Sequence, residues 1–197
     1  MKKNMQLISF GGLLLATLLI FTACNNGKTK DEMKNSAENM ELKSENSAAA
    51  MATLSATTKD TALTGTVEFT AENGKVKMAI TLSIPAMANK SVAVHIHEMG
   101  DCGDMGKMAH GHWNPGNQLH GKWGSAGFHA GDIGNVSLDA AGKGTMELTT
   151  DLWSIGGDEK TNILNRSIIV HSGMDDFTTQ PTGNAGSRIG CGVIAKK

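Results

Sequence analysis

The chain carries no surplus of charge of either sign. Its 18 Lys and Arg stand against 19 Asp and Glu, a formal net charge of −1. No basic excess is present to attract a polyanion, so no nucleic-acid partner is expected. Long apolar runs are missing as well. The longest candidate, Leu7 to Phe21, is shorter than the roughly 20 residues a bilayer-spanning helix needs. Cysteine is scarce, and the three present are Cys24, Cys102 and Cys191. The histidine set described below includes no thiolate, which excludes an iron–sulfur cluster or a cysteine-type structural zinc site there. Tyrosine is absent and aromatic residues make up 4% of the chain, whereas glycine occurs 24 times. Such a composition is rich in turns.

What is present divides into three parts. Lys2 and Lys3 precede the apolar stretch, and small residues follow it, the pattern of a signal peptide over residues 1–23. Its end, Phe21-Thr22-Ala23-Cys24, resembles the lipobox of bacterial lipoproteins, with phenylalanine where leucine is usual. The expectation is an exported chain in a bacterial cell envelope, periplasmic or surface, held to the membrane by a lipid on Cys24. Residues 24–50 then read as the lipidated cysteine and a flexible tether, being rich in Lys, Glu, Asn, Ser and Ala. Residues 51–197 read as one folded domain. With Cys24 assigned to the lipid, Cys102 and Cys191 either pair or remain two free thiols.

Within the domain, short alternating segments predict strands over 51–58, 63–70, 75–84, 92–98, 133–138, 145–150, 166–171 and 189–195. Asn73-Gly74 predicts a hairpin turn, and Asp139 to Gly144 a second one. Eight short strands with glycine-bearing turns argue for an all-β fold, a Greek-key β-barrel or sandwich. Two stretches, 99–130 and 172–187, lack strand patterning and read as long functional loops.

Six of the seven histidines concentrate around those loops. His95 and His97 alternate along one strand, so both face the same side while Val94 and Ile96 enter the core. His112, His120 and His129 follow, with Asp132 three residues after the last of them, then His171 and Arg188. Imidazole suits copper and zinc, and three histidines with an aspartate suit a closed zinc site. If His112 served both ions, six histidines and one aspartate would supply two four-coordinate metals. His110, the histidine left over, reads as an exposed loop residue.

The segments Val94-His95-Ile96-His97-Glu98, Gly100-Asp101-Cys102, Gly111-His112-Trp113-Asn114-Pro115, His120-Gly121, His129-Ala130-Gly131-Asp132, Val170-His171 and Gly183 to Ile194 resemble the copper–zinc superoxide dismutases. That resemblance implies dismutation of superoxide to oxygen and hydrogen peroxide through a copper redox cycle. It implies copper on His95, His97, His112 and His171, and zinc on His112, His120, His129 and Asp132, with His112 the catalytic bridge. Arg188 would draw in the anion, and Cys102 and Cys191 would form a disulfide. Asp175 would bond His95 and His120 from behind, its alternative being a solvated loop carboxylate. A homodimer is compatible with the family. The competing function is a metal-binding or copper-delivery protein on the same fold without turnover.

Overall fold

A computed structural model describes residues 48–197. The signal peptide, Cys24 and most of the tether lie outside the described residues. The strands are β1 (Ala49–Ala56), β2 (Thr64–Glu72), β3 (Lys75–Ser83), β4 (Ser91–His97), β5 (Gly134–Ser137), β6 (Lys143–Thr150), β7 (Ser167–His171), β8 (Arg188–Val193) and the short β9 (Ala195–Lys196). They pair antiparallel in the order β5-β4-β7-β8-β1-β2-β3-β6, with β9 added on β1. The result is a nearly closed eight-stranded barrel. Links from β3 to β4 and from β6 to β7 cross between its halves, as a Greek key requires.

Period-two patterning makes these strands. In β3, Val76, Met78, Ile80 and Leu82 are buried while Lys75, Lys77 and Thr81 face water. Asn73 and Gly74 both take positive φ, 52° and 74°, as a two-residue hairpin turn of the type favoured by strand twist demands. They bring Glu72 opposite Lys75. β4 and β7 depart from simple alternation because they are buried on both faces. Val92, Val94, Ile96, Ile168 and Val170 fill the barrel, and His95, His97 and His171 point the other way. That second face is roofed by the long loops.

Three expectations need correction. The turn at Asp139 is real, since Asp139 Oδ1 accepts the N–H groups of Ala141 and Lys143 at 2.8 Å each. It leads into no continuous ladder, however: β5 ladders on β4 and β6 on β3, and the two meet only at the seam of the nearly closed barrel, where Gly144 lies against the Ser137 carbonyl. A turn signal fixes where the chain reverses, not whether the two strands ladder. Second, β1 begins at Ala49, two residues before the expected domain start. Third, residues 151–166 form another long connection, held by Trp153, by the Ser154–Asn162 bridge and by Arg166.

Candidate metal centre

The first long loop enters beside β4 as an irregular extra strand. Glu98 donates to the Gly111 carbonyl, Trp113 to the Ile96 carbonyl and Gly131 to the Trp113 carbonyl, and His97 bridges His112. Gly131 is needed there, because a Cβ would collide with the Ile96 carbonyl. Behind His112, Trp113 is buried with the Arg166 guanidinium 4.2 Å above its ring. Arg166 also donates to the carbonyls of Glu98, Glu159 and Asn162, so it ties the third loop to the end of β4.

This framework gathers the histidines. His95 and His97 are fully buried, and His112, His120, His129, His171 and Asp132 are at most 7% exposed. Two sets form, His95, His97, His112 and His171 in one, and His112, His120, His129 and Asp132 in the other. Within each set the donor atoms lie within 4.8 Å of one another. His112 is the common member, and its ring centroid lies 4.0 to 6.2 Å from those of the other five.

Among the described residues, six buried ring nitrogens have no hydrogen-bond partner: Nδ1 of His95, His120 and His129, and Nε2 of His97, His112 and His171. Six such orphans in one place would be prohibitive without a ligand. His120 Nδ1 and His129 Nδ1 do approach the Asp132 oxygens, at 3.0 and 3.2 Å, but off the direction a hydrogen bond needs. Donors about 2 Å from one tetrahedral ion stand a little over 3 Å apart, so this approach suits co-ligands of a shared cation. The residues fit a pair of N/O-ligated metals.

The opposite ring nitrogens are fixed from outside. His97 Nδ1 donates to the His110 carbonyl at 2.8 Å, and His171 Nδ1 to the Gly186 carbonyl at 3.3 Å. Asp175, 2% exposed, accepts His95 Nε2 on one oxygen and His120 Nε2 on the other, both at 2.9 Å. One carboxylate therefore sets the tautomers of a ring in each set. Its backbone is held by Asn135, whose side-chain amide donates to the Asp175 carbonyl and accepts its N–H. Gly183, at φ 68°, lets the second loop close over this pair, where a Cβ would strike the carboxylate and His120 Nε2. Sequence reasoning missed Asn135 and Arg166, since neutral and main-chain clamps leave no spacing signature.

Arg188, at the start of β8, donates to the carbonyls of Gly106 and His110, the latter at 2.6 Å. His110 thus serves through its backbone, joining Arg188 to His97, while its side chain is exposed. Its φ of 61° and ψ of −146° lie near a region populated almost only by glycine, a strain of about 1–3 kcal/mol. Cys102 and Cys191 form a disulfide across 89 residues, which pins the first loop to β8. Met99, Met105, Met108 and Met174 are all about half exposed on the two loops.

Burial lowers the pKa of His97 well below its ordinary value, of His112 to about 4 and of His171 to about 3, with neighbouring rings adding to the effect. Burial acts to raise Asp132 and Asp175, but contacts from the histidine rings and backbone N–H groups outweigh it and hold both below the usual range. In the metal-free protein, unfolded histidines bind protons from about pH 6.5 downward, whereas the folded ones resist until about pH 4 and 3. Between those values the unfolded state binds more protons, so stability rises with pH and falls as the solution is acidified. This contribution is intact above about pH 6.5 and is lost towards pH 4, at up to about 1.4 kcal/mol per histidine per unit. The melting temperature of chelator-treated protein, followed from pH 7.5 to 4.5, is expected to drop steadily, and a flat profile would contradict it.

A family model described as copper/zinc superoxide dismutase matches residues 63–194. The chain belongs to that family. It is 37% identical over 136 residues to the Cu-Zn superoxide dismutase of Paramecium bursaria Chlorella virus 1, covering 66% of this chain and 71% of the viral protein. It is 35% identical over 142 residues to the Cu-Zn superoxide dismutase of Humicola lutea, covering 68% and 92%. The crystal structure of the clock protein EA4 superposes with a TM-score of 0.64 at 32% identity, covering 75% of this chain and 93% of that one. As a copper/zinc superoxide dismutase, the chain converts superoxide to oxygen and hydrogen peroxide and uses copper and zinc.

Proposed function

We propose that the two clusters divide the metals. His95, His97, His112 and His171 hold copper, His112, His120, His129 and Asp132 hold zinc, and His112 serves both. One observation carries this reading: six buried, unpartnered ring nitrogens separate into two sets that share a single imidazole. When bound, copper supplies a one-electron acceptor and donor, and zinc a fixed positive charge with no redox change.

The chain's own residues do the rest. Arg188 keeps its charge at every relevant pH and is aimed by the Gly106 and His110 carbonyls, so it holds an incoming anion beside His97. The copper-set residues are at most 7% exposed, and the His112 side chain only 1%. A site so enclosed favours a small anion over larger reductants. His112 Nε2 is the atom placed to take up and return a proton, and solvent provides the second one that peroxide requires. Lys107 and Lys122 are the two cations of the first loop; Lys107 lies 3.5 Å from Asp104, and Lys122 stands 6.0 Å from the Phe177 ring.

Two ligand variants test the division. His129→Ala is expected to lose zinc while binding copper, and His171→Ala to bind zinc while losing copper affinity, both read by metal analysis after dialysis. Either variant losing the opposite metal would overturn the assignment.

Export, lipid attachment at Cys24 and residence in a bacterial cell envelope belong to the same proposal, supported by the leader and by Phe21-Thr22-Ala23-Cys24. Cys24→Ser is expected to abolish labelling by palmitate and to move the protein from membrane to soluble fractions. Equal membrane retention would refute the anchor. The remaining expected partner is a second copy of the chain, which sedimentation reads directly.

A further inference from the structure

We propose that Gln180 is a positioning residue for zinc, acting through the main chain of His120. The proposal rests on the zinc assignment given above. His120 sits in a stretch of the first loop with no regular structure. The hydrogen bonds that shape this stretch locally run between Asn114 and Gln118 and from Ser125 to Lys122, and none touches the His120 backbone. Among the described residues, that backbone is met only from the second loop. Gln180 Oε1 accepts the His120 N–H at 2.9 Å, and Gln180 Nε2 donates to the His120 carbonyl at 2.8 Å.

A carboxamide presents one acceptor and two donors on a rigid plane. Bonded to the N–H and C=O of a single residue, it reproduces the paired exchange of an antiparallel ladder. Gln180 is itself held by a compact turn. Gly183 donates to the Thr179 carbonyl, and Asp176 Oδ1 accepts the N–H groups of Thr178 and Thr179. The same loop carries Asp175, which grips the His120 ring at Nε2. The second loop therefore fixes both the origin and the far end of this one side chain, leaving Nδ1 aimed at the Asp132 side. With its ring tethered and its main chain free, His120 could swing Nδ1 out of line. Release of the cation is the step such swinging speeds up.

The readout is zinc release from the zinc-loaded full chain into an excess of a chromophoric chelator. Gln180→Met keeps the length and removes both hydrogen bonds. It is expected to release zinc roughly 10- to 100-fold faster, the range typical of lost outer-shell support. Gln180→Glu keeps an acceptor and loses the donor, and is expected to fall between parent and methionine variant. Metal-stripped forms of both should melt with the parent, because Gln180 is exposed and acts on a ligand rather than on the core. Unchanged release in Gln180→Met would overturn the proposal, as would a stripped variant that melts early. A parent chain that binds no zinc would instead defeat the assignment of His112, His120, His129 and Asp132.

Discussion

His112→Ala is expected to abolish dismutation and to leave neither metal held as the parent holds it. It is the only residue common to both donor sets. Removing it takes one donor from each cluster and withdraws the Nδ1 hydrogen bond to Asp132 at 2.8 Å. Loss of a supporting residue outside the ligand shell already costs about 10- to 100-fold in affinity or activity, so loss of a shared ligand is expected to exceed that range. Metal analysis beside a superoxide assay separates the outcomes. A variant that keeps full activity would remove His112 from the centre of the mechanism. One that binds both metals normally yet is inactive would place its role in proton transfer alone.

Replacing Cys102 and Cys191 by serine is expected to produce the largest loss of stability. The closed loop of 89 residues corresponds to about 4–5 kcal/mol in chain-entropy terms. The loss should also reach the active site. Cys102 accepts the Gly106 N–H, the Gly106 and His110 carbonyls hold Arg188, and Arg188 lies three residues before Cys191 on β8. The bridge therefore closes a short circuit around the guanidinium. The double-serine variant should melt well below the parent and, at temperatures where it remains folded, dismute more slowly while retaining metal. An unchanged melting temperature would show that the crosslink does not constrain the unfolded chain.

Much of the site was legible because its chemistry is carried by unusual residues at regular offsets. His95 and His97 had to share a strand face once the segment read as β, and Val94 and Ile96 had to oppose them. Asn73-Gly74 announced its hairpin with the backbone conformation it needed. The barrel seam was not legible, since β5 and β6 flank a genuine turn and yet meet there without a ladder. Nor were Arg166, Asn135 and Gln180. These act by gripping main-chain groups, which every residue possesses, so nothing in their spacing marks the partner. His110 was read as an exposed side chain, which it is, but its contribution comes from a carbonyl that no sequence pattern displays.

The pairing of β1 has a kinetic side. This first described strand is completed by β8 and β9, the last two strands of the chain. Emerging from synthesis, β1 can zip against β2 at once, but its other edge waits until nearly every residue has appeared. Contacts so distant along the chain slow folding, because a large loop must close before they can form. Until β8 and β9 appear that edge of β1 stays open, although every residue of the two donor sets, His171 being the last, already precedes them in the chain.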